Sequence, residues 1–192
     1  MTGERLVGIR IISGKLRGKK LQSVQGMAVR PTADRIRESV FNILSSRISG
    51  AVVLDLFAGT GAFGMEALSR GAASALFIEN QRDANAVIAK NIRSCALEGV
   101  AQLIKWDIRN NLNCIRRFRP AFTLVFMDPP YGKNLIQPAL RNLHTSCCME
   151  KRACVVVEHA SSEPISEDCP EYAVTDQRKY GKTLVSFLDY VL

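Results

Sequence analysis

Residues 122–131 read FTLVFMDPPY, an apolar run that ends in an acid, two prolines and an aromatic ring. The carboxylate of Asp128 accepts hydrogen bonds, and the backbone carbonyl beside Pro129 is a second acceptor. Two acceptors side by side suit the two hydrogens of an amino group on a base, whose lone pair is otherwise delocalised into the ring. Drawing both hydrogens away turns the nitrogen toward tetrahedral geometry and aims its lone pair at an electrophile. Pro129 and Pro130 hold the chain extended there, because a residue before proline is pushed out of the helical region. Tyr131 then offers a face on which an extruded base can stack. The plainer reading of the same letters is a Pro-Pro turn after a strand, with Asp128 as a helix cap.

Upstream, VVLDLFAGTGAFG at 52–64 runs from a buried-strand pattern into a glycine-rich turn. Gly59, Gly61 and Gly64 satisfy G-x-G-x-x-G. In a dinucleotide site such glycines bring backbone N–H groups and a helix N-terminus to a pyrophosphate, which a carboxylate at the strand end would repel. Asp55 is such a carboxylate. It suits a ligand carrying positive charge, such as the ammonium and sulfonium of S-adenosylmethionine, with the glycines permitting close backbone approach. Glu79, ending ALFIE, is placed to accept from ribose hydroxyls, and Asp107, after LIKW, to receive the exocyclic amine of adenine. A lone acid at a strand end is commonly a helix cap or a solvated loop residue. Three at successive strand ends, on one edge of one sheet, point to a shared ligand, and Phe57 joins them as a candidate cofactor contact.

Placing these residues together requires a sheet. Apolar runs at 52–57, 75–78, 103–106, 122–127 and 154–157 alternate with helical spacing at 65–70, 82–97 and 135–149. That alternation predicts an α/β fold with a parallel sheet covered on both faces. After Gly181, the stretch 183–190 alternates as a final strand able to pair with 172–175. The chain has 192 residues, 47% of them apolar, enough for one core and not for two.

The net charge of +8 is unevenly spread. Residues 1–37 hold nine basic side chains against Glu4 and Asp34, a net +7, and the remainder is nearly neutral. Within that segment, 7–21 (VGIRIISGKLRGKKL) reads as a β-hairpin-like arm broken at Ser13-Gly14. Its cations, Arg10, Lys15, Arg17, Lys19 and Lys20, suggest a polyanionic partner. The segment RPTADRIRESVFNILSSRI spaces Ile36, Val40, Phe41, Leu44 and Ile48 as one helix stripe, with Arg35 and Arg37 left off it and Gly50 as the stop.

No apolar run approaches the roughly 20 residues that cross a bilayer, and no secretory leader is legible, so a cytoplasmic, soluble protein is expected. Six cysteines show no metal spacing and are read as reduced, hydrophobic filler; no metal is expected. Weaker signals are Arg109, Arg116, Arg117 and Arg119 as an extension of a phosphate track, and Lys133 as a nucleic-acid contact beside Tyr131. Glu158 and His159, read as following the fifth strand, are open to a pocket role. Trp106 is a flank for adenine or a half-buried aromatic, and His144 a structural histidine. Arg178, Lys179 and Tyr180 are a substrate-facing set or a plain turn.

The pairing of DLFAGTG with DPPY resembles the class I S-adenosylmethionine-dependent methyltransferases that act on exocyclic amino groups. More narrowly, the chain is similar to the RsmD family, bacterial methyltransferases that modify the N2 amine of a guanine in small-subunit (16S) ribosomal RNA. The stretches that carry the resemblance are RIISGKLRGKKL (10–21), RPTADRIRESVFNIL (30–44), VLDLFAGTGAFGMEALSRGA (53–72), MDPPY (127–131), VVVEH (155–159) and RKYGKTLVSF (178–187). Ser13 departs from the pattern, standing where a second glycine is expected. The resemblance implies a Rossmann-like, seven-stranded, mostly parallel sheet with a reversed last strand, and methyl transfer without metal. It also implies a monomer that meets ribosomal RNA, or a small-subunit assembly intermediate, through its arm. On this reading 1–50 is a basic RNA-binding extension and 51–192 the methyltransferase domain. Asp55, Phe57, Gly59, Gly61, Glu79 and Asp107 would line the cofactor site, and Asp128, Pro129 and Tyr131 would grip the guanine. Arg10, Lys15, Arg17, Lys19, Lys20, Arg30, Thr32, Arg35 and Lys133 would meet the RNA. An adenine-N6 methyltransferase of DNA or RNA is the alternative, because the same tetrapeptide serves both amines, although the chain has no room for a separate DNA-recognition domain. Glutamine methylation fits less well, since that chemistry usually carries Asn at the place of Asp128. An RNA-binding module with a vestigial cofactor fold and an NAD-dependent enzyme are the remaining, less favoured readings.

Overall fold

A computed structural model describes residues 8–24, 31–166 and 168–192, with backbone alone for residues 31–33. Seven strands form one sheet: β1 (Val52–Leu56), β2 (Ser74–Glu79), β3 (Ala101–Lys105), β4 (Phe122–Met127), β5 (Met149–Ala160), β6 (Tyr172–Tyr180) and β7 (Thr183–Tyr190). Their order is β3-β2-β1-β4-β5-β7-β6, parallel through β5, with β7 antiparallel to both its neighbours. The α/β sheet with a reversed last strand is therefore as expected. No helix is long and apolar enough to cross a membrane among the described residues.

Every residue of β1 is buried, as the central strand of a sheet covered on both faces must be. Val53 points into one core layer with Phe41, Met65, Phe77 and Ile88, and Leu54 and Leu56 point into the other with Ile115, Ile136 and Leu140. The first layer is roofed by α1 (Pro31–Ile43), α2 (Ala62–Ser69) and α3 (Arg82–Ser94), the second by α4 (Ile136–Thr145). In α3 the buried residues Ala84, Ile88, Asn91 and Ile92 recur at helical spacing, which seats that helix on the sheet.

Several boundaries differ from the sequence reading. β5 is twelve residues long, so Glu158 and His159 lie within it, and its first residue, Met149, already pairs with Phe122. Arg178, Lys179 and Tyr180 belong to β6 rather than to a turn, because they pair with Val185, Leu184 and Thr183 of β7. The edge strand is polar on both faces over most of its length, which erased the period-2 signal.

The N-terminal segment is stitched to the body. Ile11 N–H donates to Lys19 O (2.9 Å) and Leu21 N–H to Ile9 O (2.8 Å), closing a hairpin-like loop around an Arg10–Lys20 bridge. Ile11 and Leu21 are buried in the same layer as Phe41 and Val53. The tip rests on α2: Ile12 and Ser13 N–H donate to the two oxygens of Glu66 (2.7 and 3.0 Å), and Leu16 N–H donates to Ser69 Oγ (2.9 Å). At Gly14, φ is +81° and a Cβ would stand 2.0 Å from the Ser69 carbonyl oxygen, so only glycine fits that approach. Asn91 of α3 holds Gln22 through both its backbone groups (2.7 and 3.0 Å).

Candidate active site

The carboxyl ends of β1, β2 and β4 lie on one edge of the sheet, and strand order reverses between β1 and β4, where a crevice is expected in such folds. A cleft of about 870 Å³ opens there, and Asp55, Glu79, Asp107, Asp128 and Glu158 all line it. The register of β1 on β4 pairs Leu56 with Met127, so Phe57 and Asp128 leave the sheet side by side. The separate motifs of the sequence thus converge on one cavity.

Asp55 is 4% exposed and accepts from Gly64 N–H (2.9 Å). Burial pushes its pKa up to about 7, against the pull of the Gly64 hydrogen bond and with a contribution from Glu79. Gly64 has a packing reason as well: a Cβ there would sit 2.4 Å from the Phe77 ring. Gly59 and Phe57 line the cleft, both with positive φ (56° and 57°). Gly61, also left-handed at φ 76°, caps α2 and is not among the lining residues. Glu79 ties the loops together, accepting from Gly59 N–H (3.0 Å) through Oε2 and from Asn80 and Gln81 N–H (2.8 and 2.9 Å) through Oε1. Asp107 is at the rim, paired with Arg109 (2.6 Å), and that hydrogen bond lowers its pKa. Trp106 lines the cleft and donates its indole N–H to Asn111 O (2.9 Å).

Asp128 is exposed, with its carboxyl opening into the cleft. The protein packed around that carboxyl strips water from it and, with the negative charges of Glu158 and Asp55 added, pushes its pKa well above the carboxylate range. Pro129 and Pro130 complete that wall, and the Tyr131 ring, 40% exposed, has its hydroxyl donated to Glu158 Oε1 (2.9 Å). Burial, with negative Glu158 and Asp128 nearby, raises the Tyr131 phenol, which stays protonated and able to donate. Lys133 lies on the same rim.

The arm residues Arg10, Lys15, Arg17, Lys19 and Lys20 are all exposed. Arg35 is exposed on α1, Thr32 stands in that helix's first turn, and Arg30 lies outside the described residues. His144 bonds Tyr190 (3.0 Å), and His159 is fully buried between Ser186 Oγ and the Glu163 carbonyl (both 2.9 Å), so both are structural.

Arg37 overturns its sequence reading. It is 4% exposed rather than solvated, because Nη2 donates to Arg10 O (2.7 Å) and Asp34 (3.0 Å) while Glu66 lies 4.0 Å from Nε. It lines the cleft and joins it to the arm. Spacing held the signal, since residues 37, 40, 41 and 44 share one helical stripe. Glu66, fully buried and bonded to Arg70 (2.7 Å), escaped notice because its backbone partners come from a segment more than fifty residues away.

A family model described as "Conserved hypothetical protein 95" matches residues 9–189. Ribosomal RNA small subunit methyltransferase D of Escherichia coli (strain K12) is 37% identical over 150 residues, 78% of this chain and 74% of that protein. YlbH of Bacillus subtilis (strain 168), provisionally named an rRNA methyltransferase, is 32% identical over 178 residues, 93% of this chain and 97% of that one. Among solved structures, the Escherichia coli protein YhhF, provisionally titled a methyltransferase, superposes with a TM-score of 0.84 at 30% identity, covering 96% of this chain and 98% of its own.

Proposed function

The chain belongs to the Conserved hypothetical protein 95 family, the RsmD family of S-adenosylmethionine-dependent methyltransferases, and from that premise we propose that it methylates the N2 amine of a guanine in small-subunit ribosomal RNA. The observation that carries this reading is the convergence of Asp55, Glu79, Asp128 and Tyr131 on one cleft. The donor set fits the cofactor. Asp55 presents a buried negative charge to a cation, Glu79 a carboxylate to ribose hydroxyls, and Asp107 an acceptor to an amine, with Phe57, Gly59 and Gly61 shaping the loop between them. When bound, S-adenosylmethionine supplies an electrophilic methyl group.

The protein's own work is to present the nucleophile. Asp128 and the carbonyl beside Pro129 accept the two amine hydrogens, and Tyr131, fixed through Glu158, supports the extruded base. Residues 1–50 serve as the RNA-binding extension of a methyltransferase domain at 51–192. Arg10, Lys15, Arg17, Lys19 and Lys20 engage phosphates, Arg30, Thr32 and Arg35 close the cleft or hold phosphate, and Lys133 steadies the strand beside the base. A cleft served by the chain's own arm suits a monomer acting in the cytoplasm, where its ribosomal substrate is made.

The test is mass-spectrometric mapping of ribosomal RNA from cells with and without the gene. Loss of one N2-methylguanosine from the small-subunit RNA is the expected result. Loss of an N6-methyladenosine, or of no modification, overturns it.

A further inference from the structure

Glu158 stands in the cleft with a role beyond holding Tyr131. The pairing of Met127 with Val157 sets Asp128 and Glu158 next to one another at the ends of adjacent strands. Behind Asp128 lies a pocket of about 10 Å³, lined by Asp55, Asp128 and Glu158 and otherwise by apolar side chains such as Val40, Phe63 and Phe126. That is room for about one water molecule, and the carboxylates are its polar partners. Among the described residues, the titratable groups around Glu158 include Asp128 and Tyr131 from the loop after β4 and Asp55 from β1; Lys133 and Arg37 of α1 line the same cleft, and β7 brings Thr183, whose hydroxyl is 3.4 Å from that of Tyr131.

We propose that Asp128 and Glu158 act as one proton-accepting pair, with Glu158 taking up across the one-water pocket the proton that the target amine sheds. The inference rests on the methyl-transfer reading. In that reaction the amine nitrogen gains a bond to the methyl carbon, the carbon–sulfur bond breaks, and its electron pair stays on sulfur, which becomes a neutral thioether. The nitrogen is left cationic and loses one proton; the pair gains that proton and passes it to solvent at the exposed Tyr131 edge. Two adjacent carboxylates bind a first proton more tightly than either does alone, because each negative charge disfavours the other. A cationic ligand in the cleft offsets that repulsion and favours the doubly ionised pair, ready to accept.

Calorimetric titration with S-adenosylmethionine and with its neutral thioether product, as a function of pH, tests the pair without RNA. In the wild type, the preference for the cation grows as pH rises through the pair's titration. Glu158→Gln, which keeps an acceptor for Tyr131 but removes the charge, should move that transition down by about one pH unit. Glu158→Asp, which withdraws the carboxylate by one methylene, should move it the same way by less, so a Gln variant that fails to fold does not end the test. Tyr131→Phe, which takes a hydrogen bond from the Glu158 carboxylate and leaves its charge, should move it slightly the other way, upward. On small-subunit RNA lacking the modification, Glu158→Gln should lower maximal turnover about tenfold and carry the acid limb of the rate profile with it. A transition unmoved in both Glu158 variants, or moved down as far by Tyr131→Phe as by Glu158→Gln, overturns the proposal. Absence of methyl transfer by the wild type would instead overturn the functional reading, while the binding transition still decides the pair.

Discussion

The cleft and the arm treat charge in opposite ways. In the cleft, Asp55 and Glu79 are buried, so solvent does not relax around their charges, and Asp128 opens into the cleft beside two further acids, Glu158 and Asp55. In the arm, Arg10, Lys15, Arg17, Lys19 and Lys20 extend into water, while the backbone beneath them is fixed by Glu66, Ser69 and Asn91. A reacting nitrogen needs acceptors already aimed where charge will develop. A phosphate needs exposed cations that shed counterions, and a rigid base adds register. On the proposed reading, chemistry sits on side chains enclosed by the cleft, and docking on exposed side chains over a constrained backbone.

The sharpest way to break this comparison is Asp128→Ala. Turnover should fall by at least about a hundredfold, the scale for loss of one preorganised polar partner of a transition state. Binding of the thioether product should stay within about threefold, since Asp128 belongs to the acceptor end of the cleft. Single-turnover kinetics with isothermal titration separates the two. Turnover near wild type would mean that the carboxylate is not what activates the amine.

The arm half of the comparison makes a smaller prediction. Replacing Arg17, Lys19 and Lys20 by alanine should flatten the dependence of log K on log salt by about 2, as three lost phosphate contacts require on a single strand. Gly14→Ala leaves every cation in place but drives a methyl group into Ser69 O at a left-handed backbone position. It should weaken RNA binding about tenfold, through misplacement, with the cofactor affinity unchanged. Filter binding across a salt series reads both. If Gly14→Ala binds RNA as well as the wild type, rigid placement contributes nothing and the arm is only a string of charges.

What the sequence made legible follows the same divide. The strand-to-loop motifs were readable because each is local: β4 spans Phe122–Met127 as its apolar run predicts, Asp55 lies one residue before the end of β1, Glu79 ends β2, and Asp107 comes two residues after β3. β7 was readable as a strand from its own alternation, and its reversal only from the family resemblance. The anchoring of the arm was not, because Glu66 sits alone in AFGMEALS and looks like one solvated acid of an exposed helix face. Its burial depends on Ile12, Ser13, Arg37 and Arg70, brought together only by the fold. Arg37 was misplaced for a related reason, since charge outweighed spacing although its position on the Val40–Leu44 stripe marked it as inward. β6 was underestimated because an edge strand with solvent on both sides has no apolar face to betray it.

A ligand-free measurement isolates burial itself. Asp55 has a folded-state pKa near 7 against an ordinary 3.8, raised mainly by burial. Below the unfolded value both states hold the proton and Asp55 costs nothing. As pH rises between the two values, the unfolded chain ionises first, so stability is lost progressively and the full cost is reached once the folded carboxyl ionises too. Asp55→Asn keeps an oxygen acceptor for Gly64 N–H and removes the titration. In calorimetry without ligand, the thermal midpoint of the variant relative to the wild type should therefore climb by several degrees between pH 4 and pH 8. A midpoint difference that is flat with pH for Asp55→Asn would mean that the cleft solvates its carboxylate as well as bulk water does, and the contrast between buried chemistry and exposed docking would lose its physical basis.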